Sequence, residues 1–73
     1  MPYTSATPDQ SFRHRVPHAT PEQAAQALLR ARRDDVAYVY DQRGNLSGIF
    51  TAAPHDPDAV IPHPLPRRRH ALA

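Results

Sequence analysis

Four side chains near the C-terminal end, His55, Asp56, Asp58 and His63, offer the nitrogen and oxygen donors that zinc or nickel accepts. Pro57 and Pro62 interrupt that stretch, so the spacing fixes no common face for the donors, and solvated side chains without a metal are the expectation. His14 and His18 stand four residues apart, the separation of a metal-binding pair on a helix, but Pro17 lies between them and excludes a helical pair. Arg67, Arg68 and Arg69, followed by His70, form a cation cluster able to contact nucleic-acid phosphates or an acidic partner. No aromatic residue is interleaved to stack on bases, so a weak, salt-sensitive contact is all that three arginines predict. Serine, histidine and aspartate are all present, yet catalytic groups need a rigid supporting shell and most of these lie in the terminal stretches. With one glutamate, no cysteine and no lysine, the sequence points to a protein without catalytic activity.

Tyr38 and Tyr40 carry a different chemistry, that of a contact surface. Each offers an apolar ring with a polar tip, the combination favoured where one protein meets another. They fall in Val36-Ala37-Tyr38-Val39-Tyr40, where alternation places Ala37 and Val39 on one side and Val36, Tyr38 and Tyr40 on the other. Across the following turn, Leu46, Gly48 and Phe50 share a side opposite Ser47, Ile49 and Thr51. If a helix covers Val39, Leu46 and Phe50, then Val36, Tyr38, Tyr40 and Ile49 form an outward apolar patch, and such patches mark interfaces.

The elements that position these residues are legible in part. Asp41-Gln42-Arg43-Gly44 carries Asp at the first and Gly at the fourth position of a type I turn, so residues 36–40 and 46–51 are read as a β-hairpin. Ahead of it, Thr20-Pro21-Glu22-Gln23 supplies an N-cap threonine, a first-turn proline and a glutamine placed for a capping box. Ala24, Ala27, Leu28 and Ala31, widened by Ala25 and Leu29, make an apolar stripe, so an amphipathic helix is expected over about 21–33. Phe12, His14 and Val16 alternate with Arg13 and Arg15, and 12–16 can add a third strand to the hairpin.

Outside this centre the chain reads as tails. Residues 1–11 are polar and are expected to be flexible. From Pro54, five prolines within thirteen residues forbid a helix interior or a central strand, and 54–73 is read as a proline- and arginine-rich tail, disordered or extended. The fold class is therefore α+β, one helix on a small antiparallel sheet, with the ordered module at 12–53.

Composition bounds the function. Seventy-three residues make one small domain, and the absence of cysteine excludes disulfides and thiolate metal sites. No apolar run approaches the roughly 18 residues that span a bilayer, and no basic segment followed by an apolar one opens the chain, so a cytoplasmic protein is expected. All nine basic residues are arginine, beside many alanines and prolines, a composition associated with GC-rich bacterial coding. The net charge is only +2, so a pI of about 9.7 reflects arginine's refusal to titrate and not a basic face.

The pieces from Thr20 to Thr51 resemble, in order and spacing, one CBS (cystathionine-β-synthase) motif: Thr20-Pro21-Glu22-Gln23-Ala24, Ala27-Leu28-Leu29, Tyr38-Val39-Tyr40-Asp41, Gly44-Asn45-Leu46 and Gly48-Ile49-Phe50-Thr51. CBS motifs occur in pairs, pack sheet to sheet and often bind adenosine nucleotides as regulatory modules. The resemblance implies a nucleotide contact at Thr51 alone. Pro54 stands where the family has a ribose-binding acidic residue, and the proline run stands where its second helix begins. With about 40 residues of expected order, a chain without disulfide or metal needs a partner to stay folded. The reading is a small regulatory interaction module that acts as a homo-oligomer or docks on a larger protein. Its alternatives are a degenerate CBS-like nucleotide sensor and an arginine-tail nucleic-acid binder.

Overall fold

The computed structural model describes residues 2–65. In chain order the elements are β1 (Tyr3–Ala6), β2 (Arg13–His18), α1 (Pro21–Ala31), β3 (Val36–Tyr40), β4 (Leu46–Ala52) and β5 (Val60–His63). The strands form one five-stranded antiparallel sheet in the order β2-β1-β3-β4-β5. β2 and β3 both run antiparallel to the β1 strand between them, so α1 is a crossover that spans β1 and packs on one face of the sheet.

The helix forms where its caps place it. The Thr20 side chain accepts a hydrogen bond from the Gln23 backbone N–H at 3.2 Å, Pro21 opens the first turn, and Glu22 meets the positive end of the dipole. It ends at Ala31, two residues before the expected limit. Arg32 leaves helical geometry at φ −136°, and its carbonyl accepts from the Asp35 N–H while its guanidinium pairs with the Asp35 carboxylate at 3.3 Å. The buried stripe is Ala24, Ala25, Leu28 and Leu29; Ala31, expected within it, is exposed.

These four residues form the core with Ala37, Val39 and Phe50 from the sheet, and Tyr3, Phe12, Ala52 and Val60 pack around them. The hairpin turn closes as its residues require: the Asp41 carboxylate accepts from the N–H groups of Arg43 and Asn45, and Gly44 takes φ +83°. One residue departs from simple alternation. Val39 pairs with Gly48 but Tyr40 pairs with Leu46, so Ser47 is an extra residue in a bulge. The bulge turns Leu46 to the side of Tyr40, away from Gly48 and Phe50, and leaves it outside the core.

Three expectations about the ends of the chain are corrected. Residues 1–11 are not a flexible lead-in, because Tyr3–Ala6 is an interior strand of the sheet. Its small side chains let the alanine-rich helix approach closely, and the buried Ser5 hydroxyl donates to the Ala24 carbonyl at 2.7 Å. The strand expected at 12–16 spans Arg13–His18 and pairs with β1, not with the hairpin. The ordered module does not stop at 53, because Val60–His63 pairs with β4 as an edge strand. Proline is tolerated there because an edge strand has one ladder side without a neighbour. The 66–73 part of the tail lies outside the described residues.

The β1–β2 turn is held by polar contacts. The Asp9 carboxylate accepts from the Thr7 hydroxyl at 2.8 Å and the Ser11 N–H at 3.0 Å. Hydrogen bonds from Ser11 and Thr7 to its charged form hold the Asp9 carboxyl down at about 2.

Candidate functional site

Val36, Tyr38, Tyr40 and Ile49 all lie on the sheet face away from α1, where they are half-buried. β3 supplies the first three by alternation, and Ile49 sits directly opposite Tyr38. Thr51 lies opposite Val36 on the same face and Ile61 opposite Thr51, so β5 widens the surface with a residue 40% exposed. The described part of the proline-rich tail could have covered the tyrosines; it pairs at the edge of β4 instead. At the other side of the face, Ala6 of β1 is only 4% exposed, flanked in the ladder by Tyr38 and Arg13.

The two edges of the sheet differ from the face. β2 carries Pro17 and a large irregularity: Tyr3 pairs with His18 and Ser5 with His14, so four residues of β2 span two of β1. Arg15, Val16 and Pro17 are pushed outward, leaving Val16 58% exposed. β5 carries Pro62 and is followed by Pro64. Prolines and bulges on edge strands oppose pairing with another chain.

The same irregularity brings His14 and His18 together, with rings stacked at 5.3 Å between centroids. Sequence spacing gave no sign of this, because a regular strand would hold them about 13 Å apart. Partial burial pushes the His14 imidazole below its ordinary value, and the charge of His18 pushes in the same direction. His18 Nε2 is buried without a hydrogen-bond partner.

The other candidates separate. Asp58 pairs with Arg30 at 2.9 Å and its carbonyl accepts from the Gln26 side-chain amide, which anchors the β4–β5 loop to the helix. Asp56 accepts from the Asp58 N–H, and His63 lies on the helix-free face with Nε2 2.8 Å from the Thr51 hydroxyl. Among the described residues no group of three or more histidine, cysteine or acidic side chains could hold a metal ion. Thr51, the residue tied to a nucleotide by resemblance, is thus engaged with His63. Arg67, Arg68 and Arg69 lie outside the described residues. Among the described residues no helix is long and apolar enough to cross a membrane.

A polar corner of the face was not foreseen. The Gln10 side-chain amide donates to the Tyr40 hydroxyl at 3.0 Å, and its carbonyl oxygen accepts from Arg13 Nε at 3.1 Å. These residues line a cavity of about 350 Å³ with Thr4, Ala6 and Asp41. Comparison with protein-family models, curated proteins and solved structures finds no match to this chain.

Proposed function

We propose that this chain is a small non-catalytic interaction module whose helix-free sheet face docks on a second copy or on a larger protein. The observation that supports the reading is the uneven cover of the sheet. One helix occupies one face, while the other carries Tyr38, Tyr40, Val36 and Ile49, extended by Ile61, with no second layer among the described residues. Sheets of this kind stay stable by burying a second apolar face against a partner or by solvating it with polar residues, and this face is mostly apolar. Five strands give this chain more order than the hairpin alone, so the uncovered face weighs more than small size.

Thr51 and His63 are the one hydroxyl–imidazole pair among the described side-chain hydrogen bonds; it is exposed and has no acidic group to orient the imidazole. A CBS-like adenosine-nucleotide sensor would use Thr51, and millimolar AMP, ATP or S-adenosylmethionine would then raise Tm. The arginine-tail reading would require nucleic-acid binding that deletion of 66–73 abolishes.

Light scattering across a concentration series tests the docking reading. A defined dimer that Tyr38→Asp converts to a folded monomer supports docking on a second copy. A folded monomer that Tyr38→Asp leaves equally soluble and equally stable, with no protein partner retained through this face, defeats it.

A further inference from the structure

We propose that the cavity between the β1–β2 turn and the β3–β4 turn is a carboxylate-binding site, with Arg13 as its anion fork. The inference does not depend on the docking reading, because the cavity occupies one corner of the face and shares only Tyr40 with the patch.

The chemistry of the wall sets the ligand. Arg13 has no carboxylate partner among the described residues, where the ion pairs are Arg30–Asp58 and Arg32–Asp35. Its Nε is taken by Gln10, which leaves the two terminal nitrogens as a planar pair of donors. The Tyr40 hydroxyl accepts from Gln10, so its own proton remains to be donated, and Thr4 lines the same cavity. Donors converging on one cavity call for an acceptor-rich group. Asp41 lines the cavity too, so one guanidinium is offset by one carboxylate, and a second negative charge on the ligand gains little attraction while its desolvation cost rises with the square of the charge. That selects a carboxylate over a phosphate. The Tyr40 ring gives a carbon chain an apolar surface.

The backbone holds this arrangement in advance. Gln10 sits at φ +64°, a left-handed geometry that disfavours any residue with a Cβ. Glycine would relieve that strain but could not bridge Tyr40 and Arg13. Uncommon backbone geometry retained at a ligand wall is a pointer to function. The Thr7–Asp9–Ser11 contacts brace the same turn.

The carboxylate could end a peptide chain or belong to a small free acid, and a titration separates the two. Isotope-labelled full-length chain, kept dilute, is titrated with N-acetyl-Ala-Ala, its C-terminal amide, butyrate and inorganic phosphate. The Gln10 side-chain amide and Arg13 Nε–H signals are followed by NMR. Saturable shifts are expected with N-acetyl-Ala-Ala or butyrate at Kd on the order of 1 mM, as suits an open site with few contacts. The tighter of the two identifies the source. Phosphate should bind more weakly and the amide should leave both signals in place. Arg13→Ala should weaken carboxylate binding at least tenfold and Tyr40→Phe a few-fold. Gln10→Gly should keep or raise Tm while weakening binding, a split that a merely structural role for Gln10 would not produce. No saturable shift with either carboxylate, equal binding of the amide, tighter binding of phosphate, or an unaffected Arg13→Ala would each overturn the assignment.

Discussion

The two faces of this one sheet are made of different materials. Toward α1 the sheet offers Ser5, Ala37, Val39, Gly48 and Phe50, small residues with two large ones, all buried. Away from α1 it offers two tyrosines, Val36, Ile49 and Ile61, large side chains that are half-buried or exposed. A helix whose buried face is half alanine can only be covered by a sheet it approaches closely, and close approach requires small residues beneath it. The other face has no such constraint, and its bulk is suited to a second surface arriving from outside. Burial on the first face stabilises the monomer; under the proposed docking, the area still open on the second would stabilise an assembly.

Substitutions test that division. Leu28, fully buried under the helix, should show the largest effect: Leu28→Ala is expected to cost about 2–5 kcal/mol, which in so small a domain brings the chain to the edge of unfolding in a thermal melt. Gly48→Ala follows. A Cβ there would lie 2.6 Å from Phe50 Cε1, and the ring is fixed in the core, so a loss of about 1–3 kcal/mol is expected by urea titration. Ser5→Ala removes the hydroxyl bond to the Ala24 carbonyl and should cost about 1 kcal/mol. By contrast Ile49→Ala, opposite Tyr38 on the helix-free face, should change monomer stability less than Leu28→Ala does and weaken association more. If Ile49→Ala destabilised the isolated chain as much as Leu28→Ala, the two faces would be equivalent and the division would fail.

Acid gives the smallest effect, at His14, which stands opposite Ser5 on β2, and at Asp9 in the β1–β2 turn. The folded chain holds His14 below its ordinary value, so the unfolded chain takes up that proton first. Stability should be full above about pH 6.5 and decline as pH falls through that value, a step that His14→Gln removes. Asp9 behaves in the same direction at lower pH. Its carboxyl is held at about 2 in the fold, so its contribution is intact above about pH 4 and is lost as pH drops toward 2. Asp9→Asn should abolish that second step in a pH series of thermal melts, and persistence of the step would assign it to another carboxylate.

The parts of the fold legible in the chain were those whose signals are local. The Thr20 cap, the alanine–leucine stripe and the Asp41–Gly44 turn each act within a few residues, and each appears where its chemistry puts it. Alternation also placed Val36, Tyr38, Tyr40 and Ile49 on one face. It misplaced Leu46, because the bulge at Ser47 shifts the pairing by one residue and no neighbour of Ser47 announces that. Tyr3–Ala6 was illegible for another reason. Four residues with one large side chain carry no strand signal, and they become an interior strand only because α1 crosses over them. The pairing of Val60–His63 was hidden by Pro62 and the prolines around it, which exclude the middle of a sheet but not its edge.

Sequence alone therefore determined the helix, the hairpin and the side on which the tyrosines stand, since capping, turn chemistry and period-two alternation are short-range effects. The tertiary structure decided which strands flank β1, how His14 meets His18, and that Gln10, Arg13 and Tyr40 share one cavity. Those groupings join residues up to 36 positions apart, as Thr4 and Tyr40 are. They exist because the crossover helix and the strand ladders bring together segments distant in the chain, and no local rule encodes which segments meet.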